Sequence, residues 1–438
     1  MQSSTLVNPP TLQDPNVPTG LPGPTVLTGV LPTLVPIVRE RTELDALTHR
    51  HRVESGTAAK RHSATVLKPG ATVYVIGDLE GQLHRLYNLL VSLKIISVFR
   101  SSNQRCKTPV CDWLAADHVY VVQCGDQIDA GGKVLRHVHS PHFDLETLVF
   151  TDYLQEISGG HFINIIGNHE WMNVYGELDY VHPSDTQRLS PARRRGYFTY
   201  DGILGKILRR RHFTLRINNA VFSHAGISQE LFPYSVFPDA KNATNATTNM
   251  VGGIGSIGGM PFTDENLGVL FDRINGLVDV PANFRSSVDS TPEFKWYIWG
   301  PIAGTPDFEN DHSIIWNRHY SIAAMTDHES MRAAVPGFPF MSEIDVMVTG
   351  HNKNADIIVY PNVPSNERKD MNISNQKILL LSDAISQEAV LKYAVLKADA
   401  GSLKFTALET AVYACSGGSC ALFDTEGFTA DYIACVAR

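Results

Sequence analysis

Six short apolar runs recur along this chain, and each ends in a glycine or small polar residue beside an Asp, Asn or His. The runs are VYVIGD from Val73, VYVVQCGD from Val119, FINIIGNHE from Phe162, AVFSHAG from Ala220, DVMVTGH from Asp345 and ILLLSDA from Ile378. Nearly continuous apolar runs are typical of strands covered on both faces. In open α/β architectures, functional groups gather outside the carboxyl ends of such strands. The pattern therefore predicts oxygen and nitrogen ligands that meet at one edge of a sheet.

The segments between these runs predict helices and turns. QLHRLYNLLVSLKII, which follows GDLEG, carries leucines at helical spacing, and a second helix is predicted from about Leu145. LKYAVLKADAGSLKFTAL predicts a β-hairpin that turns at Asp399–Ser402. We expect an α/β (α+β) fold in which two mixed β-sheets pack face to face as a sandwich flanked by helices. The first three strands should be parallel.

Three regions are predicted along the chain. Residues 1–65 are expected to form an N-terminal arm with one short helix around Thr42–Val53, because residues 1–38 carry eight prolines and few charges. Residues 66–410 should form the main domain, and residues 411–438 a cysteine-containing extension.

Polar insertions lie at 100–117, 180–196 and 236–262. We expect the last two to overhang the crevice and to influence substrate choice. The triplet Arg193, Arg194 and Arg195 lies in the first of these two. It should form a solvated loop, with contact to an acidic or phosphorylated partner as the alternative.

Composition excludes some classes of function. With a formal net charge of −8 over 438 residues, a general nucleic-acid or anionic-membrane surface is not expected. No apolar run reaches the ~18 residues that a transmembrane helix needs. The N-terminus lacks a basic segment followed by an apolar one, so we expect a cytoplasmic protein.

The sequence does not determine whether the six cysteines are free thiols, form disulfides or bind a metal. Cys124 lies inside an apolar run, which predicts a buried thiol. Cys106/Cys111 and Cys415/Cys420 share one spacing, which fits free loop thiols, local disulfides or a shared zinc site.

Five side chains stand at the ends of predicted strands. They are Asp78, Asp126, Asn168, His224 and His351. Carboxylate, amide oxygen and imidazole together suit a site for two ions of manganese, iron or zinc. Two metals roughly 3.5–4 Å apart can share one carboxylate and bind both oxygens of an in-line phosphoryl displacement. No GxSxG elbow or P-loop is present in the sequence to suggest other chemistry.

At this point the sequence resembles a known superfamily. GDLEG, GDQIDAG, GNHE, SHAG and TGH resemble, in order and spacing, the motifs of the calcineurin-like metallophosphoesterases, and the resemblance covers roughly residues 70–395. Softer motifs are similar to the Shewanella-like branch of the phosphoprotein phosphatases. They are NHEWMNVYGELDYV from Asn168, GYFTYDGILGKIL from Gly196, SIIWNRHY from Ser313 and LSDAIS from Leu381. The resemblance implies the metallophosphoesterase fold.

The resemblance also implies a role for each strand-end ligand. Asp78 would bind the first metal and Asp126 would bridge both. Asn168, His224 and His351 would complete the second. The implied cofactors are two divalent ions, with manganese favoured and iron or zinc as alternatives.

Three further residues receive implied catalytic roles. His169 would be the general acid that protonates the leaving oxygen, and Asp129 would orient it. Arg318 would bind the substrate phosphate through its guanidinium group, with a surface salt bridge as the alternative.

The chain departs from the superfamily motifs at two positions. Glu80 stands where the first motif has His, and as a harder ligand it tilts metal preference toward manganese or magnesium. Ala130 stands where the second motif has Arg, which removes one phosphate-binding group. We expect Lys133 to be a solvated side chain, with compensation for the missing arginine as the alternative.

Two functions follow from these motifs. The first is a phosphomonoester hydrolase, by direct attack of metal-bridging hydroxide, whose substrate is a phosphorylated protein or else a small phosphoester. The alternative is a weakened pseudo-phosphatase that serves as a binding module in an assembly, with the N-terminal arm docked on a protein partner.

Overall fold

The structure is a computed structural model. It describes residues 64–97, 100–101, 109–129, 144–227, 264–286, 289–299, 313–317, 344–351, 358–360, 377–380, 390–399 and 402–412. Ala130, Lys133, Arg318, the helix predicted at Thr42–Val53 and the docking arm at 1–38 lie outside these residues, so the predictions made for them stay predictions. The division of the chain into three regions also stays a prediction.

The strands alternate with helices along the chain. In chain order the strands are β1 Ala64–Thr65, β2 Thr72–Ile76, β3 Arg100–Ser101, β4 Pro109–Val110, β5 Val119–Gln123, β6 Phe162–Asn164, β7 Thr214–Ile217, β8 Ala220–Ser223, β9 Val346–Thr349, β10 Ile358–Tyr360, β11 Lys377–Leu380, β12 Val390–Asp399 and β13 Ser402–Val412. The helices are α1 Leu83–Ser92, α2 Asp144–Ile157, α3 Asn168–Tyr175, α4 Pro183–Arg188, α5 Pro191–Phe198, α6 Ile203–Leu208, α7 Asp264–Gly276 and the single turn α8 Pro292–Phe294. Short 3₁₀ segments at Leu277–Asp279 and Pro281–Phe284 and a π-helical segment at Lys295–Trp299 complete the set.

Two mixed sheets form the centre of the domain. Among the described residues, one sheet has the order β13-β12-β2-β5-β6 and the other the order β1-β7-β8-β9-β11-β10. In the first sheet, β2, β5 and β6 are parallel, as the sequence predicts, and β12 runs antiparallel to β2. The hairpin between β12 and β13 turns at the predicted place, where Asp399 pairs with Ser402. The two mixed sheets confirm the predicted fold class.

The core explains why the strands are apolar on both faces. Val122 of β5 and Phe222 of β8 belong to a cluster that strands of both sheets share, so this cluster fills the sandwich. Their neighbours Val121 and Val221 belong to a second cluster, to which the helices contribute. Successive side chains of a strand point to opposite faces. β5 and β8 therefore each bury both of their faces.

The insertion at 180–196 is helical rather than a solvated loop. It forms α4 and α5, and Arg194 of α5 is fully buried. Arg193 and Arg195 are solvent-exposed, as expected, but they lie on a helix rather than in a loop, and the expectation of exposure is wrong for Arg194. Burial of Arg194 is possible because the carboxylates of Asp129 and Asp144 bind its guanidinium group.

The sequence also makes predictions about the cysteines and about membrane-spanning helices. Cys111 and Cys124 are buried free thiols, as predicted for Cys124, while the other cysteines lie outside the described residues. No helix in the described part of the chain has both the length and the apolar character that crossing a membrane requires. The cytoplasmic location stays a prediction.

Phe222 tests the packing between the sheets. Phe222→Ala should lower the free energy of unfolding by about 3–5 kcal/mol, because it removes a large side chain and leaves a cavity between two rigid sheets. Urea denaturation followed by fluorescence measures the change. Val66→Ala is the matched control, since Val66 is 81% exposed and should change stability by less than about 0.5 kcal/mol. A loss for Phe222→Ala as small as that of the control would contradict this account of the core.

Candidate metal centre

The ends of five strands bring the predicted ligands to one place. Asp78 follows β2, Asp126 follows β5, and Asn168 begins α3 just after β6, all from the five-stranded sheet. His224 follows β8 and His351 follows β9 of the six-stranded sheet. All five side chains are buried. The site thus lies where the carboxyl ends of strands from the two sheets meet.

His224 lies at the centre of this group. Its Nε2 is 2.8 Å from Asn168 Oδ1 and 3.2 Å from Asp126 Oδ2. Its Nδ1 is 2.7 Å from the carbonyl oxygen of Cys124 and 3.9 Å from Asp78 Oδ1. Donation from Nδ1 to the Cys124 carbonyl leaves the Nε2 lone pair directed at the other ligands, which is the arrangement of a metal-binding imidazole.

His351 completes the group from the other sheet. Its backbone N–H lies 3.1 Å from both carboxylate oxygens of Asp78, and its ring packs edge-on against His224 with centroids 5.0 Å apart. Asp126, His224 and His351 each offer one ligand atom, and these three atoms lie within 4.8 Å of one another. The structure therefore brings together all five residues that the strand-end pattern selected.

The backbone around the ligands is unusual for side-chain-bearing residues. Asp126 has φ of 49° and His351 has φ of 65°, both in the left-handed region that L-residues rarely adopt. Gly167 and Gly350 leave room for the carboxylates, because a Cβ at these positions would collide with Asp126 Oδ1 and Asp78 Oδ1 respectively. The glycines of GNHE and TGH are therefore needed for the close approach of the ligands.

The electrostatics follow from five polar groups packed in a buried space. Burial opposes a charged carboxylate at Asp126, but His169 and His224 outweigh it and lower the Asp126 pKa well below its usual range. Burial likewise opposes a charged His224, yet Asp126 and Asp78 raise the pKa of His224 to about 9. This concentration of negative charge attracts cations. Bound cations would take over the charge balance that the imidazolium groups supply here.

His169 lies beside the ligands with its imidazole between two carboxylates. Its Nδ1 is 3.2 Å from Asp129 Oδ2 and its Nε2 is 3.6 Å from Asp126 Oδ2. Burial disfavours the charged imidazolium, but Asp126 and Asp129 outweigh it and raise the pKa of His169 to about 10. The half-exposed ring of Tyr180 contacts His169 edge-on, with centroids 5.0 Å apart, and so borders the site. His169 can hold a proton at Nε2 while Asp129 accepts from Nδ1.

Glu80 lies near the proposed metal ligands but outside the closest group of three. It is buried, its backbone N–H donates to the Asp126 carbonyl at 2.9 Å, and its carboxylate contributes to raising the pKa of His169. It is not among the three residues whose ligand atoms lie within 4.8 Å of one another.

Sequence reasoning missed the role of Glu170. Its buried carboxylate accepts from the backbone N–H of Gly167 at 2.7 Å, of Gln127 at 2.7 Å and of Asp126 at 3.1 Å. It thereby ties the loop that carries Asp126 to the start of α3. A signal was present, because Glu170 is the third residue of α3 and reaches back to the N-cap position, Gly167, as in a capping box.

The donor set fits divalent metal ions. Two carboxylates, one amide oxygen and two imidazoles converge in a buried space, with Gly167 and Gly350 shaped to admit the carboxylates. Such mixed oxygen and nitrogen sets suit manganese, iron or zinc. Divalent cations would balance the charge of the two buried carboxylates, Asp78 and Asp126.

The chain is similar to two proteins that are named protein phosphatases. No model of a known protein family matches the chain. Shewanella-like protein phosphatase 1 of Plasmodium berghei is 26% identical over 167 residues, which is 37% of this chain and 41% of that protein. Shewanella-like protein phosphatase 2 of Arabidopsis thaliana is 32% identical over 109 residues, which is 24% of this chain and 22% of that protein. The chain thus spans less than half the length of either relative.

A solved structure shows a weaker likeness. The structure of a cold-active protein tyrosine phosphatase has a TM-score of 0.48 and 18% sequence identity, over 78% of this chain and 80% of that one. At this TM-score the likeness adds no weight to the assignment.

The two mixed sheets and the strand-end ligands agree with the metallophosphoesterase fold that the motifs imply. The five motifs resemble those of the calcineurin-like phosphoesterases, and the two named relatives are of the Shewanella-like type.

Glu170 offers a test of how the centre is built. Glu170→Ala should lower the free energy of unfolding by about 3 kcal/mol or more, because it leaves three buried N–H donors without their acceptor. Thermal and urea denaturation measure the loss. Glu156→Ala, on the exposed side of α2, is the control and should be nearly neutral. Equal stability of the two variants would show that the Asp126 loop is held by other contacts.

Proposed function

We propose that the chain is a metal-dependent phosphomonoester hydrolase that acts on phosphorylated proteins. The single observation that supports this most is the position of Asp126, whose carboxylate lies 3.2 Å from His224 Nε2 and 3.6 Å from His169 Nε2. The Asp126 carboxylate therefore lies next to the proposed metal ligands on one side and next to the protonated imidazole of His169 on the other. That juxtaposition suits hydrolysis of an ester whose leaving oxygen needs a proton.

The proposed ligands divide into two sets that share Asp126. Asp78 and Glu80 join Asp126 in the first set, and Asn168, His224 and His351 join it in the second. All of these residues except Glu80 follow the ends of strands. When bound, two divalent cations supply Lewis-acid charge for the phosphoryl oxygens and lower the pKa of water. Manganese is the proposed metal because carboxylate oxygens dominate the first set, with iron or zinc as alternatives.

His169 is the proposed general acid. It holds its proton at Nε2, while Asp129 accepts from Nδ1 and keeps the ring in that orientation. In the reaction, water gives one proton to solvent and its oxygen forms the new bond to phosphorus, while the bond from phosphorus to the leaving oxygen breaks and its electron pair stays on that oxygen. The leaving oxygen then takes the proton from Nε2. His169 regains its proton from solvent after the step. Arg318 remains the proposed phosphate-binding residue on the strength of the sequence motif alone.

The substrate class follows the relatives. The relatives from Plasmodium berghei and Arabidopsis thaliana are both named protein phosphatases, which supports a phosphorylated protein as substrate, with a small phosphoester as the alternative. The pseudo-phosphatase hypothesis gains no specific support. Glu80 supplies a carboxylate, which is a competent metal ligand, and both His169 and Asp129 are in hydrogen-bonding contact.

His169→Ala tests the proposal directly. With manganese present, the variant should hydrolyse an alkyl phosphate about 10²–10⁴-fold more slowly than wild type, because the leaving oxygen loses its proton donor. Metal content, measured by mass spectrometry of the purified protein, should stay unchanged because His169 is not a proposed ligand. His118→Ala is the matched control, since His118 is exposed. Wild-type protein that binds metal without turnover of any phosphoester would contradict the proposal.

A further inference from the structure

Arg194 is a buried cation whose position no motif explains. It lies on α5 between Arg193 and Arg195, which are both exposed, while Arg194 itself is 0% exposed. Full burial of an arginine is costly unless acceptors bind its guanidinium group.

The guanidinium group binds three side chains around Asp129. Its Nη2 donates to Asp129 Oδ1 at 3.0 Å, its Nη1 donates to Asp144 Oδ2, and its Nε donates to Asn173 Oδ1 at 2.5 Å. These partners come from the loop after β5, from α2 and from α3. Arg194 therefore links three separate elements of the fold to the insertion helix.

The partners of Arg194 also hold Asp129 directly. Asn173 Nδ2 donates to Asp129 Oδ2 at 2.8 Å, and the Asp129 backbone N–H donates to Asp144 Oδ1 at 2.8 Å. Asp129 has φ of 67°, a conformation that surrounding contacts must maintain. The ring of hydrogen bonds among Arg194, Asp144, Asn173 and Asp129 thus fixes both the backbone and the carboxylate of Asp129.

The orientation of His169 depends on that carboxylate. Asp129 Oδ2, which Asn173 also binds, accepts from His169 Nδ1 at 3.2 Å, while Oδ1 is held by Arg194. Rotation of the carboxylate would move Oδ2 away from the imidazole. The Nε2 atom would then no longer point consistently toward the site.

We infer that Arg194 is a positioning residue that fixes Asp129, and through it the imidazole of His169, for proton donation to the leaving group. This inference rests on the proposed function. Arg194 does not bind substrate phosphate, because its guanidinium nitrogens face protein acceptors and its side chain has almost no contact with solvent. The insertion at 180–196 therefore contributes Arg194 to the support of Asp129.

Substitution of Arg194 should matter most when the leaving oxygen needs a proton. Arg194→Lys keeps the charge but loses the planar fork that reaches three acceptors. We expect kcat for an alkyl phosphate to fall about 10–100-fold, as is usual when an outer partner of a reactive group is lost. For p-nitrophenyl phosphate, whose leaving group departs as a stable anion, kcat should change little. Arg193→Lys on the exposed side of the same helix should leave both rates unchanged.

A double variant separates positioning from general damage. If Arg194 acts through His169, adding Arg194→Lys to His169→Ala should cause no further loss of kcat with the alkyl phosphate. Metal content should match wild type in all variants. If Arg194→Lys does not fold, Asp144→Asn replaces it in the same experiment. It keeps an acceptor for the Asp129 backbone while removing one charged partner of Arg194.

The outcomes distinguish the inference from the function on which it rests. Equal losses for both substrates, or losses that multiply in the double variant, would overturn the positioning role while leaving the hydrolase intact. A wild-type protein that hydrolyses neither substrate would instead refute the proposed function, and the inference with it.

Discussion

The carboxylate of Asp126 is the contact on which the rest of the site depends. One oxygen accepts the backbone N–H of His169 at 3.0 Å, and the other faces the imidazoles of His224 and His169. Asp126 can occupy this point only because its backbone takes a left-handed conformation and Glu170 binds its N–H. Gly167 leaves the space into which the carboxylate projects. Much of the local architecture, including the capping of α3, thus serves to hold one buried charge in place.

Burying several carboxylates together requires positive charge nearby, and the chain supplies it in two ways. On the side of Asp129, Arg194 is built into the fold and provides a permanent cation. On the side of Asp126, the charge comes from imidazoles whose pKa values are raised, and it is this side that divalent ions would occupy. In the proposed mechanism, Arg194 orients the proton donor His169, and the bound divalent ions would supply Lewis-acid charge. His169 lies between the two and contacts both carboxylates.

Sequence reasoning predicts the convergence of the strand-end side chains well, but it predicts poorly the residues that hold them in place. The strand-end ligands could be predicted because each follows its own strand directly, so local pattern and sheet geometry together determine where Asp78, Asp126 and His224 lie. The same holds for the parallel strands and the hairpin at Asp399–Ser402. Arg194 could not be predicted, because its burial depends on Asp144, 50 residues away, and on Asn173. A run of three arginines suggests solvent exposure, and only tertiary packing selects the one that turns inward.

The most direct test of this account is a crystal structure of the manganese-loaded protein, with anomalous diffraction collected at the manganese absorption edge. The account predicts two anomalous peaks roughly 3.5–4 Å apart, with the Asp126 carboxylate between them. The second peak should also be ligated by Asn168, His224 and His351. Absence of any peak at this position in protein soaked with excess manganese, or peaks ligated by other residues, would contradict the central claim that these strand ends form a metal centre.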